Sequence, residues 1–230
     1  QNTYGIEIST SRVKEAIQVL QGHFVSKEAE YQKYCQIDIL ENDPAGMIKR
    51  LQSYTERLTH IPFYTQVEDI VKVGIARYKE KYLPGIKSED PFVLYEKYSR
   101  RDVSLLMNCG KDLSSIMYGM KRIENDVFIF ITYHKEESQD EKNYVDGKPD
   151  YADAFEDNLI FKWDSQIGKG LDSSYMKDVL GADRKHLFVK KSDAETSFYY
   201  MGQFDVLEAR NAQKEDNRGR MQPITKVTMK

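Results

Sequence analysis

From residue 115 to residue 229 the chain reads as short apolar and aromatic runs set between turn residues, with one short helix among them. The run Val127-Phe128-Ile129-Phe130-Ile131 follows the turn Glu124-Asn125-Asp126. Five apolar residues suit a buried strand, whereas a membrane span needs roughly 20. Further strands are predicted over 115–121, 127–133, Leu159 to Trp163, His186 to Lys191, Ser197 to Phe204 and Pro223 to Met229. Ser192-Asp193 supplies a turn, so the run Phe198-Tyr199-Tyr200 returns as the second arm of a hairpin. The helix runs from Ser173 to Leu180 and stops at Gly181. Few long helices separate these strands. That pattern favours antiparallel pairing in a closed or half-closed barrel over a doubly wound parallel sheet.

The first 85 or so residues have a different period. Val13, Ala16, Ile17 and Leu20 make an i, i+3, i+4, i+7 stripe after Ser9-Thr10-Ser11. Asp43-Pro44 predicts a helix start carrying Met47, Ile48, Leu51, Thr55 and Leu58. Thr65-Gln66-Val67-Glu68 has the form of a capping box, with Val67, Ile70, Val71, Gly74, Ile75 and Tyr78 beyond it. Leu83-Pro84-Gly85 ends the run. One more helix is predicted from Ser99-Arg100-Arg101-Asp102 through Val103, Leu106 and Met107. The reading is an α+β chain, with an N-terminal bundle of about four helices over 1–88 and a β-rich domain over 89–230. There is no internal repeat and no low-complexity segment.

Composition supports a soluble protein with a real core, since 230 residues contain 40% apolar and 31% charged side chains. No basic start leads into an apolar segment, so no secretory signal is expected. Cys35 and Cys109 stand alone without CxxC spacing. A disulfide framework or zinc cluster is therefore not expected, and a reducing cytoplasm is the default location. The net charge of −3 does not suggest a generic nucleic-acid binder. Residues 136–157, however, hold nine acids against Lys142 and Lys148, which leaves the rest of the chain at +4. A local acidic excess can hide a basic face.

Catalytic signatures are missing. There is no GxxxxGK[ST] loop and no GxGxxG after a strand. His23, His60, His134 and His186 are scattered without partners at metal-binding spacing, and no metal site is predicted. No GxSxG elbow occurs, and neither cysteine lies in a nucleophile motif. The chain reads as a binding module and not as an enzyme, with no cofactor of its own.

One constellation stands apart from the many core aromatics. Tyr151-Ala-Asp153-Ala-Phe155 places rings and an acid in a polar loop, and Trp163 follows twelve residues after Tyr151. Asp164-Ser165-Gln166 and Gly168-Lys169-Gly170 come next. Two rings and a carboxylate at a barrel mouth are what a pocket for an extruded base requires. The rings stack on the base, and the carboxylate accepts the amino hydrogens of cytosine. The alternative is that Trp163 is a core residue and Tyr151 a loop aromatic.

A resemblance bears on that choice. It is carried by Leu94-Tyr95-Glu96-Lys97-Tyr98-Ser99-Arg100-Arg101-Asp102-Val103, Tyr118-Gly119 and Val127 to Lys135. Phe161-Lys162-Trp163-Asp164-Ser165-Gln166, His186 to Lys191 and Phe198-Tyr199-Tyr200-Met201-Gly202 continue it, so that it spans about residues 90–205. Together these resemble the C-terminal target-recognition domain of type IV restriction enzymes that carry a phospholipase-D-like nuclease and a DEAD-box helicase. The resemblance implies an SRA-like (SET-and-RING-associated, PUA-like) curved antiparallel β-barrel that flips 5-methylcytosine or 5-hydroxymethylcytosine out of duplex DNA. It also implies that the N-terminal helices connect to a helicase, and that the parent enzyme uses ATP and magnesium. Tyr151, Asp153 and Trp163 follow the order of that family's pocket, with Phe155, Asp164 and Ser165 beside them. The family's acid lies three residues after the Tyr, where this chain has Ala154. Asp153 from a shifted loop, or Asp164, is left to take its role.

Other contacts are read from residue type and place. Ser99, Arg100 and Arg101 open a helix, where free N–H groups and two guanidiniums can hold a phosphate. Gln166 and Lys169 sit on a glycine-rich loop able to fill the space left by a flipped base. Lys190, at a strand end, adds attraction for phosphate. Each also has a plain reading, as a capped helix, a surface loop or a solvated lysine. The competing function is a protein-interaction or structural scaffold module of a helicase-associated protein. Membrane association is not expected.

Overall fold

The structure, a computed structural model, describes residues 9–25, 33, 38–42, 47–81, 90–132, 154–155 and 159–230. In chain order the elements are α1 (Thr10–Leu20), β1 (Leu40–Asn42), β2 (Ile48–Arg50), α2 (Gln52–Arg57), α3 (Ile61–Lys81), β3 (Lys97–Tyr98) and α4 (Arg100–Leu106). There follow β4 (Met120–Ile123), β5 (Asp126–Thr132), β6 (Ala154–Phe155), β7 (Phe161–Asp164) and α5 (Ser174–Leu180). The last four are β8 (Arg184–Lys190), β9 (Phe198–Gln203), β10 (Val206–Glu215) and β11 (Met221–Met229). They divide into two compact units, one of residues 1–93 and 101–113, the other of 94–100 and 114–230.

The first unit is mixed and not a clear helical bundle. α1 is capped by Ser9, whose hydroxyl accepts the Arg12 N–H. The Gln21 side chain accepts the Ile39 and Leu40 N–H groups at 3.1 and 2.7 Å, fixing the start of β1. β1 pairs antiparallel with β2, Leu40 opposite Arg50 and Asn42 opposite Ile48. The start expected at Asp43-Pro44 lies outside the described residues, and beyond it β2 and the six-residue α2 stand where one helix through Leu58 was expected. Met47 and Ile48 remain 60% and 53% exposed, so a helix there would have had no buried stripe to gain, and strand pairing wins. α3 begins four residues before the expected capping box. The Thr65 hydroxyl donates back to the Ile61 carbonyl inside the helix, and Pro62 sits in the first turn, where its missing N–H costs nothing.

The second unit holds two sheets on one core. The five-stranded sheet has the order β3-β9-β8-β5-β4, and the four-stranded sheet β10-β11-β7-β6. β5 and β8 pair in parallel over seven positions, from Asp126–Arg184 to Thr132–Lys190, and the other pairs are antiparallel. The all-antiparallel expectation is corrected at this pair. Both strands are buried on both faces, which is the usual setting of parallel strands. Alternate residues Val127, Ile129, Ile131, Leu187 and Val189 face a core shared with Phe161, Trp163, Val227 and Met229 of the other sheet and Met176 and Val179 of α5. Phe128, Phe130, His186, Phe188 and Tyr200 occupy the opposite face. Ser173 caps α5 through the Met176 N–H and Gly181 closes it, as the sequence predicts. β10 was not expected from the sequence.

Candidate nucleic-acid interface

The site is built around a kink before β4. Gly119 has φ +73°, a left-handed conformation that ends the run predicted over 115–121 and leaves a 3-10 turn at Ser114–Ile116. Its carbonyl accepts the Phe130 N–H at 2.8 Å, and the Tyr118 carbonyl accepts the Met120 N–H at 2.9 Å. The Gln166 side-chain amide also donates to the Tyr118 carbonyl, at 3.1 Å. A Cβ on Gly119 would lie 2.6 Å from that Gln166 nitrogen and 3.3 Å from the Tyr175 hydroxyl. Gly119 is what lets the Gln166 loop close onto the kink.

That loop is itself stiff. The Ser165 hydroxyl donates to the Lys169 carbonyl at 2.7 Å and accepts the Thr225 N–H at 2.8 Å. The Thr225 hydroxyl donates to the same Lys169 carbonyl at 3.0 Å, and the Gly168 N–H reaches the Pro223 carbonyl at 2.9 Å. Lys169 then holds its ammonium 5.9 Å from the Tyr175 ring, and Trp163 lies 6.3 Å from that ring on its way into the core.

Arg100 completes the group. Its guanidinium carbon is 4.7 Å from the Tyr118 ring, 5.1 Å from Phe198 and 5.6 Å from Phe130. These are cation–π distances. Burial pushes the Arg100 pKa below its ordinary value, with the nearby Asp193 carboxylate among the groups opposing the shift, yet a guanidinium stays charged. Of the residues singled out in the sequence, Arg100, Gln166 and Lys169 are thereby brought into one neighbourhood with Trp163 behind it. Tyr118 and Tyr175, which tie them together, were not assigned a role. A tyrosine directly before glycine between two apolar runs was the available signal for the first. The second reads as one more apolar position of α5.

The remaining predicted residues are committed to other partners or lie outside the described residues. Arg101 donates to Asp112 at 2.7 Å, and Ser99 precedes α4. Lys190 is buried, donates to the Glu195 carbonyl at 2.9 Å and lies 5.2 Å over Phe198, so its ammonium serves the β8–β9 hairpin. Trp163 is only 4% exposed and packs in the core, whereas Asp164 is turned to the other face of β7 and lies 3.8 Å from Lys214. Strand alternation thus turns Trp163 and Asp164 to opposite faces of β7. Ser165 is fully buried and committed to the loop. Phe155 lies on β6, its backbone paired with Phe161, while Tyr151 and Asp153 lie outside the described residues.

Among the described residues no helix is long and apolar enough to cross a membrane. No curated protein matches the chain. Among solved structures, the crystal structure of SUVH5 SRA bound to fully hydroxymethylated CG DNA is 12% identical, covering 58% of this chain and 83% of its own, with a TM-score of 0.35. The crystal structure of Arabidopsis thaliana SUVH6 in complex with SAM is 13% identical over 96% of this chain and 39% of its own, with a TM-score of 0.41. Likenesses this remote carry no argument. Residues 92–230, more than half of the chain and all of the second unit, match the family described as a domain of unknown function (DUF3427), and the chain belongs to that family.

Proposed function

We propose that the chain is the DNA-binding target-recognition part of a type IV restriction enzyme resembling SauUSI, reading 5-methylcytosine or 5-hydroxymethylcytosine in duplex DNA with an SRA-like fold. The observation that carries this reading is the convergence of Arg100, Gln166 and Lys169 around Tyr118 and Tyr175. A caged guanidinium, an amide and an ammonium on a stiff loop are the groups that contact phosphates and enter a duplex. The helicase and nuclease, with their ATP and magnesium, belong to the rest of the parent protein, and the setting is the bacterial cytoplasm.

In this reading a modified cytosine leaves the stack and lies against Tyr151, with Phe155 beside it, Asp153 accepting its amino hydrogens and Trp163 backing the pocket from the core. Thymine offers a carbonyl at that edge and is refused. Unstacking costs a few kcal/mol, and each ring returns roughly 1–3 kcal/mol. The 5-methyl group adds apolar burial of about 0.8 kcal/mol, a factor of about four in affinity. Sharper discrimination requires a wall fitted to the methyl group. Titration of matched methylated and unmethylated duplexes at about 50 mM salt tests the reading, because phosphate contacts are strong there. A preference for the methylated duplex is expected; equal affinity or no binding refutes it.

One observation favours a second reading, a protein-interaction or scaffold module. α3 leaves Ile61, Tyr64, Ile70, Val71 and Val73 more than half exposed. Such a density of exposed apolar side chains on one helix suits a docked partner.

A further inference from the structure

Tyr118 is 63% exposed, yet its backbone is among the most firmly held on this surface. Two donors share its carbonyl, and the next carbonyl is fixed to β5. One face of its ring carries the Arg100 guanidinium, which is itself confined by Phe130 and Phe198. Among the described residues its hydroxyl has no hydrogen-bond partner, so nothing in the structure requires the oxygen. A large ring held rigid while still exposed pays no ordering cost when something flat settles on it. The cation also draws π density toward the covered face, which makes the open face a poor seat for a second cation and a good one for an electron-rich planar ring.

We infer that the open face of Tyr118 is a stacking platform for a nucleobase, distinct from the modified-cytosine pocket. This rests on the DNA-binding reading and deepens it. The platform lies at the surface, so its ligand is a base already unstacked where the duplex is opened, and the Gln166 amide holds the Tyr118 carbonyl in place. Recognition is through the π face and is therefore tolerant of base identity.

The test uses the full chain with Tyr118→Phe, Tyr118→Leu and Tyr118→Ala, each checked for an unchanged melting temperature. Affinity is measured for a methylated duplex containing an unpaired 2-aminopurine beside the modified site, together with quenching of that base. Tyr118→Phe should bind within about twofold of the parent, while Tyr118→Leu and Tyr118→Ala should bind about tenfold more weakly and lose the quenching. Leu matching the parent in affinity and quenching overturns the platform, because an apolar side chain without a π face would suffice. Phe losing as much as Ala overturns it too, because the oxygen would then be the contact. If these variants bind like the parent and methyl preference persists, the platform alone falls. If the parent binds no DNA, the DNA-binding reading falls with it.

Discussion

The two sheets of the second unit are held by different forces. β5 and β8, at the centre of the five-stranded sheet, are buried on both faces, aliphatic toward the shared core and aromatic on the other side. β10 and β11 form a nine-pair antiparallel ladder, but most of β10 is exposed or only half-buried. The inner sheet depends on side-chain packing, and the outer hairpin depends on backbone bonds and its turn. The candidate site follows the same division, since Arg100 is caged by rings of the packed sheet while the Gln166 loop is clipped to β11 through Thr225.

The largest contrast is expected from matched truncations. Phe188 is fully buried, with ring centroids of Tyr200, Phe130, Tyr98 and Phe128 at 5.0, 5.1, 6.2 and 6.3 Å. Phe188→Ala should destabilise by about 3–5 kcal/mol. Arg210 on β10 is exposed and has only a 4.0 Å pair with Glu208, so Arg210→Ala should change stability by less than about 0.5 kcal/mol. Urea unfolding midpoints measure both. Comparable losses would mean that the hairpin is packed as tightly as the inner sheet.

A second break concerns charge within the aromatic face. Arg184 grips Asp126 with two of its guanidinium nitrogens, Nε and Nη2, at 2.8 and 2.6 Å, at the first rung of the parallel pair. Asp126 is 4% exposed at its side chain, with His186 Nε2 3.7 Å away and His186 in turn hydrogen-bonded to Tyr200 at 3.0 Å. Arg184→Met strands that carboxylate and should cost about 3 kcal/mol. The double variant Asp126→Asn, Arg184→Met should recover part of the loss. A double variant no better than the single would show that the carboxylate is not what the arginine protects.

The same contrast explains what could be read in the sequence. β5 and β8 were legible because burial on both faces leaves an uninterrupted apolar run, and α5 because Ser173 and Gly181 mark its ends. β10 was not, because Val206-Leu-Glu-Ala-Arg-Asn-Ala-Gln-Lys-Glu215 is rich in helix formers and made a strand by its partner β11, a tertiary override of local preference. The parallel pairing was hidden as well, since a run buried on both faces does not announce its neighbour's direction. The candidate site was legible residue by residue in Arg100, Gln166 and Lys169. Their meeting at Tyr118 was not, since it depends on the left-handed Gly119 and on strand order. Asp164 shows the reverse case, a residue adjacent in sequence to Trp163 that strand alternation carries to the opposite face.

The smallest expected effect sharpens the comparison at the turn of the outer hairpin. Asp216 accepts the backbone N–H groups of Arg218 and Arg220 at 2.9 and 3.0 Å and the Arg220 side chain at 2.9 and 2.7 Å. The Arg220 side chain is the largest cause holding the Asp216 carboxyl well below the usual carboxylate range, followed by the Arg220 backbone bond. A group whose folded pKa is depressed adds stability above its unfolded pKa of about 3.9, and that contribution is lost as pH falls toward the folded value. Arg220→Gln should therefore move the Asp216 carboxyl pKa upward in an NMR titration. It should also lower stability slightly at neutral pH, with the difference from the parent shrinking below about pH 4. A difference that persists undiminished in acid would assign the turn's stability to backbone conformation instead of to the ion pair. The inner sheet gives the control, because Phe188→Ala removes no charge and its cost should survive the same change of pH.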